Sequence, residues 1–126
     1  MPGDPPFIGI DLVEPERLGQ RLAHNPGLKG ELFSPAEVAY SEGQPHPIEH
    51  LAARYCAKEA VVKALAIDGF DPLDVEVLGG GEATAVRLHG PVLDRARELG
   101  VEVSISLTHV ATMAAAVAMA RPTSSS

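Results

Sequence analysis

The chain predicts an α+β fold, a small and mostly antiparallel sheet packed against one long helix. Three observations carry this. Phe7 to Val13 and Val101 to Leu107 alternate with the period of a strand. Ile48 to Ile67 carries the longest helical period in the chain. The order of the elements, short strands and short helices around that segment, completes the case.

In the first strand Ile8, Ile10 and Leu12 line one face and leave Gly9 and Asp11 on the other. A short helix starts near Pro15, since proline is tolerated in a first turn, and runs to about His24 before Asn25-Pro26-Gly27 breaks it. Ser34-Pro35-Ala36-Glu37 has the form of a capping box and opens a second short helix, followed by a loop from Gly43 to Pro47. On the long helix Ile48, Leu51, Tyr55, Val62 and Leu65 make one apolar stripe. Ala53, Ala57, Ala60 and Ala64 make a second face of small side chains that admits another element at close range.

Asp74 to Leu78 and Thr84 to Leu88 read as strands joined by Gly79-Gly80-Gly81. Pro91 to Leu99 reads as a helix with Gly100 just past its end. In the next strand Val101, Val103, Ile105 and Leu107 share one side and Glu102, Ser104 and Ser106 the other. After a turn over Thr108 to Thr112, Met113 to Ala120 returns as its paired strand. Met1 to Pro6 and Arg121 to Ser126 read as loose ends, giving a single domain over 1–126 with its core from about 7 to 120.

Composition narrows the function. Hydrophobic residues make up 45% of the 126 residues and charged ones 21%, as in ordinary globular proteins. A net charge of −7 speaks against a general nucleic-acid binder, which needs a broad cationic surface. Cys56 stands alone, which excludes an internal disulfide or a multi-cysteine zinc site and suits a reducing cytoplasm. No basic stretch followed by an apolar run opens the chain, and Met113 to Ala120 falls short of the ~20 residues a membrane helix needs. The expectation is a cytoplasmic protein with neither nucleic acid nor membrane as partner.

Three features point to chemistry. Asp11 is a carboxylate in an otherwise apolar strand, either balanced by a cation or serving as a structural acceptor. Lys58 falls inside the apolar stripe, where a lysine either snorkels to an edge or meets an anion. Arg54, Lys58, Glu59 and Lys63 gather on the long helix, as two surface pairs or as part of a site. Two carboxylates with several cations fit Mg²⁺ and a polyphosphate ligand, because Mg²⁺ takes one or two carboxylates plus substrate phosphates.

The run Ile8-Gly-Ile-Asp-Leu-Val-Glu-Pro-Glu-Arg17, followed by Leu51-Ala-Ala-Arg-Tyr-Cys-Ala-Lys-Glu-Ala-Val-Val-Lys-Ala-Leu65, resembles the paired signature of the holo-acyl-carrier-protein synthase family. Ser104-Ile-Ser-Leu-Thr-His109 and Ala114-Ala-Ala-Val-Ala-Met119 resemble its C-terminal strand, turn and strand, so the likeness spans roughly Phe7 to Ala120. The resemblance implies a 4′-phosphopantetheinyl transferase that moves the phosphopantetheine arm of coenzyme A onto a serine of an acidic acyl carrier protein, with Mg²⁺ as cofactor. It implies Asp11 and Glu59 as metal ligands, and Glu59 and Lys63 as catalytic residues. Arg54, Lys58, Lys63, Thr108 and His109 follow as coenzyme A ligands, with Arg54 and His109 near its 3′-phosphate. Arg17 and Arg21 follow as the docking patch for the carrier, and a homotrimer with sites between subunits as the assembly.

The chain departs from the family at Gly81-Glu-Ala-Thr84, where a glycine, a basic residue and a proline are usual, and at Val110, where a small polar or acidic residue is more common. Cys56 replaces the usual alanine and reads as packing, since the transfer needs no covalent enzyme intermediate. Two other classes stay open on the sequence: a carrier-binding module without turnover, and a magnesium hydrolase of a nucleotide diphosphate.

Overall fold

The computed structural model of the chain describes residues 7–123. Ten regular elements run in the order β1 (Phe7–Val13), α1 (Pro15–His24), α2 (Leu28–Leu32), α3 (Pro35–Glu42), α4 (Pro47–Ala64), β2 (Val75–Leu78), β3 (Ala85–Leu88), α5 (Gly90–Leu99), β4 (Val101–Val110) and β5 (Met113–Pro122). A three-stranded sheet has the order β1-β5-β4, and β2 and β3 form a separate hairpin. Every pairing is antiparallel, which makes the architecture α+β with a small antiparallel sheet and helices.

The small-residue face of α4 explains how sheet and helix meet. Ala53, Ala57, Ala60 and Ala64 are buried, and they face alanines again: Ala114, Ala116, Ala118 and Ala120, alternate residues of β5, are buried too. At Gly9 the strand backbone lies directly on the helix backbone. A Cβ placed there would stand 1.9 Å from the Ala60 carbonyl oxygen and 2.7 Å from the Ala64 amide. Neither neighbour is a side chain that could swing away, so this approach requires glycine.

α4 ends at Ala64 rather than Ile67. Ala66 adopts a left-handed φ of 55°, and the Ile67 amide donates to the Val62 carbonyl at 3.1 Å, which turns the chain out of the helix. α3 opens with the expected capping box: Ser34 Oγ accepts from the Glu37 amide, and Glu37 accepts from the Ser34 amide. α2 lies in a stretch that the sequence reading left unassigned; it carries Leu32 into the core and Phe33 follows it there.

The two faces read for β1 are present, and the structure decides which of them is covered. β1 turns its Gly9 and Asp11 face toward α4, and its alternating Ile8, Ile10 and Leu12 face outward with 65%, 64% and 62% exposure. Strand register continues this face across Met119 and Val117 on β5, both partly exposed, toward Ser104 and Ser106 on β4. One expectation about the sheet is corrected, at the last hairpin. β4 continues through Val110 and only Ala111 and Thr112 form the turn, so Thr108 and His109 are strand residues. Arg121 and Pro122 extend β5 instead of fraying, held by the Arg121–Glu102 ion pair at 3.5 Å and by pairing with Glu102 and Val101. The loose ends expected at 1–6 and 124–126 lie outside the described residues.

Candidate functional site

The helical repeat puts Tyr55, Glu59 and Lys63 on one line along α4, each one turn from the next. β1 crosses this line. Lys63 Nζ donates to Asp11 Oδ1 at 3.0 Å and to the Ile10 carbonyl at 3.1 Å, while its side chain stays half exposed. The Asp11 side chain is 18% exposed, so the carboxylate is sheltered by its strand yet open to solvent. Balance by a cation is therefore the reading of Asp11 that the geometry selects.

Glu59 belongs to the same neighbourhood. Cys56 sits beneath both carboxylates, fully buried, its Sγ donating to the Ala114 carbonyl at 3.4 Å. Burial, then the charges of Asp11 and Glu59, push its thiol up to about 12, with Val13 and Lys63 opposing. A thiol held that far from ionisation is packing and no nucleophile. Above Glu59, the Tyr55 hydroxyl is raised by burial and by Glu59, against the opposing effect of Arg21.

A cleft of about 360 Å³ opens here between α1, β1 and the start of β5. Arg17, Arg21, Tyr55, Leu12 and Met113 are among its lining residues, Asp11, Glu59 and Lys63 are not, and Tyr55, which feels both Arg21 and Glu59, links the arginines of α1 to the carboxylate group. Arg17 is highly exposed, and among the described residues it is engaged only by the local Glu14 at 3.4 Å.

The second group lies at the far side of the sheet, where β4 forms the edge opposite β1. A cleft of about 330 Å³ is lined there by Tyr40, His50, Arg54, Gly80, Gly81, Thr84, Thr108 and His109, with Leu107 behind. Arg54 is almost fully buried; its guanidinium lies 4.1 Å over the Tyr40 ring and donates through Nη2 to the Gly79 carbonyl. Its Nε is a buried donor without a hydrogen-bond partner among the described residues. His109 Nδ1 meets Glu49 Oε1 at 3.0 Å, and its ring stands edge-on to His50 at 4.5 Å between centroids. Tyr40, His50 and Glu49 were not singled out by sequence: Glu49 and His50 fall just before the Leu51–Leu65 motif and Tyr40 on another helix, and their place is visible only in the packing.

Lys58 requires a correction. It was expected among the coenzyme A ligands, but its side chain has no exposure, and Nζ pairs with Glu37 Oε1 at 2.9 Å. Its other donors go to the Pro72 carbonyl at 2.8 Å and to the Val75 carbonyl. Burial pulls its pKa down and Glu37 pulls it back up. All three ammonium hydrogens are thereby taken by the protein, so Lys58 ties α4 to α3 and to β2 and has none left for a ligand.

The chain thus brings together Asp11, Glu59 and Lys63, with Arg17 and Arg21 nearby, and separately Arg54, Thr108 and His109. Among the described residues no group of three or more His, Cys, Asp or Glu side chains gathers as a metal cage. Among the same residues no helix is long and apolar enough to cross a membrane.

Comparison with known proteins gives the family and the fold. The profile of the 4′-phosphopantetheinyl transferase superfamily matches residues 7–115. The holo-[acyl-carrier-protein] synthase of Moorella thermoacetica is 41% identical over 116 residues, covering 88% of this chain and 90% of that protein. That of Streptomyces coelicolor is 42% identical over 116 residues, covering 90% and 94%. Among solved structures, a Chronobacterium ammoniagenes ACPS–CoA complex superposes with a TM-score of 0.84 at 27% identity, covering 96% of this chain and all of the other. The acyl carrier protein synthase of Mycobacterium tuberculosis gives 0.72 at 31% identity, covering 92% and 96%.

Proposed function

Because the chain belongs to the 4′-phosphopantetheinyl transferase superfamily, we propose that its two groups of side chains hold the two ends of one kind of ligand, coenzyme A. The reaction is the transfer of the 4′-phosphopantetheine arm of coenzyme A to a serine of apo-acyl carrier protein, releasing 3′,5′-ADP. The observation that carries the assignment is the 3.0 Å contact between Lys63 and Asp11, one helix turn from Glu59.

Asp11 and Glu59 are the residues that would hold Mg²⁺. The donor set fits: it is all carboxylate oxygen, and a two-carboxylate site leaves positions for phosphate and water. When bound, the ion neutralises charge on the pyrophosphate. Lys63, already at the Asp11 carboxylate, supplies a second positive charge to the same pyrophosphate and to the departing nucleotide. Glu59, directly or through a water, is the acceptor for the serine proton. Arg17 and Arg21 border the cleft beside these groups and receive the acidic carrier, which gives an acidic enzyme the local basic patch it needs.

Arg54, Thr108 and His109 take the nucleotide end. They line one cleft at the β4 edge, while Asp11 lies on the β1 edge. This separation favours a site completed between copies of the chain. The outward Ile8, Ile10, Leu12, Val117 and Met119 face is apolar and contiguous in the strand register, and we assign it to the contact between copies in a homotrimer. The test of function is intact-mass spectrometry of an apo-acyl carrier protein after incubation with this chain, coenzyme A and Mg²⁺. A gain of one phosphopantetheine arm that chelator abolishes supports the reading. An unchanged carrier mass, with coenzyme A still bound, sinks it in favour of a carrier-binding module.

A further inference from the structure

The cleft at the β4 edge contains one titratable side chain to which nothing above gives a task. His50 stands in the first turns of α4, on the cleft wall between Tyr40 and His109. Its ring is edge-on to both, at 5.9 Å from Tyr40 and 4.5 Å from His109. Two aromatic neighbours fix its plane while leaving its nitrogens free: among the described residues His50 makes no side-chain hydrogen bond, whereas His109 already has Glu49 at 3.0 Å.

We propose that His50 is a phosphate ligand in this cleft, taking up a proton as the phosphomonoester of coenzyme A enters. The inference rests on the reading of the cleft as the nucleotide end. Coenzyme A carries one phosphomonoester, at its 3′ position, and that group alone reaches a double negative charge near neutral pH, because its second pKa is about 6.

The charges around His50 set the direction of the proton. From β4 it faces His109, from its own helix Arg54 and Glu49, from the preceding loop His46, and from α3 Tyr40. Burial, with His109 and Arg54 next, lowers its pKa, and Glu49 opposes them. The ring is therefore neutral at pH 7 in the free protein. A phosphate dianion reverses the sign of the local field and favours the charged ring. Arg54 adds to this cradle with the buried Nε that has no partner among the described residues. The protonated His50 then donates a charge-assisted hydrogen bond, and the proton comes from solvent.

The experiment follows the ¹³C and ¹⁵N resonances of the His50 ring in the unmodified protein at pH 7, with and without coenzyme A. The expected result is a move from the neutral to the protonated form with coenzyme A and no such move with 3′-dephospho-coenzyme A. Calorimetry in buffers of different ionisation enthalpy reads the same event as net proton uptake. His50→Gln should abolish that uptake and weaken coenzyme A about tenfold while leaving 3′-dephospho-coenzyme A affinity unchanged, the size of one lost charged hydrogen bond. Binding of coenzyme A with the His50 ring still neutral, or uptake that survives His50→Gln and disappears in His109→Gln, overturns the proposal. Absence of coenzyme A binding to the unmodified chain overturns the reading of the cleft itself, and the proposal with it.

Discussion

Lys58 and Glu37 form a fully buried ion pair, Nζ to Oε1 at 2.9 Å, with neither side chain exposed. Glu37 is also tied to the Ser34 amide and, through Oε2, to the Val77 amide at 2.8 Å. One carboxylate thus caps α3, holds β2 and neutralises α4. Removing either partner leaves the other as an uncompensated buried charge, which costs about 3–5 kcal/mol. Glu37→Gln and Lys58→Met should each lower urea stability by an amount of that order. A loss below about 1 kcal/mol in both would show that the pair is not the clasp described.

Gly9→Ala should be more damaging than any other single methyl added to the chain's strands. The new Cβ would meet backbone atoms of Ala60 and Ala64, so strand and helix must separate. We expect a loss of at least about 3 kcal/mol, the upper end of overpacking effects. Chemical denaturation measures it, and a variant as stable as the parent would mean that β1 lifts away from α4 freely.

Glu59→Gln keeps the size of the side chain and removes its charge. Since Glu59 makes no ion pair among the described residues, the melting temperature should change by no more than a few degrees. Transfer to the carrier should fall by at least about a hundredfold, the scale of a lost acid–base or metal-ligand group. Near-normal turnover in a folded Glu59→Gln protein removes Glu59 from both roles.

How much of this was legible beforehand differs from residue to residue. The period of β1 showed two faces but not which one the chain itself covers, because an apolar face reads alike whether its partner is a helix or another copy. The capping box at Ser34 and Glu37 was readable; the second duty of Glu37 was not, since Lys58 lies far along the chain and meets it only after folding. Asp11, Glu59 and Lys63 were identified by their motif, and their meeting depends on Gly9, whose spacing from Asp11 puts both on the helix side of β1. Tyr40, Glu49 and His50 belong to no pattern and became visible only as neighbours.

The outward face of β1 makes a prediction about assembly. Ile10→Arg places a charge at the centre of a row whose members are each more than half exposed on β1. The isolated fold should tolerate it, while self-association measured by sedimentation velocity should be lost. If the parent chain sediments as a monomer at micromolar concentration, the face has some other partner.

Acid should loosen the β4 cleft. The folded pKa of His50 lies below its ordinary 6.5, so the unfolded chain binds more protons between the two values. Stability therefore falls as pH drops from about 6.5 through the lowered folded value. His50→Gln should flatten that part of the stability profile, and saturating coenzyme A should flatten it in the parent. A profile unchanged by the substitution would show that other groups govern this range.

The contact of Gly9 with Ala60 has one further consequence. Most distances between a strand and a helix are set by side chains, and they drift when the core is substituted. Here the gap is set by main-chain atoms, which no substitution elsewhere resizes. Asp11 is two positions from this fixed point on the strand, and Lys63 three positions from it on the helix. The separation of a carboxylate and an ammonium at the proposed reaction centre is thus calibrated by the polypeptide backbone itself, and sequence drift in the surrounding alanine-rich core can proceed without detuning it.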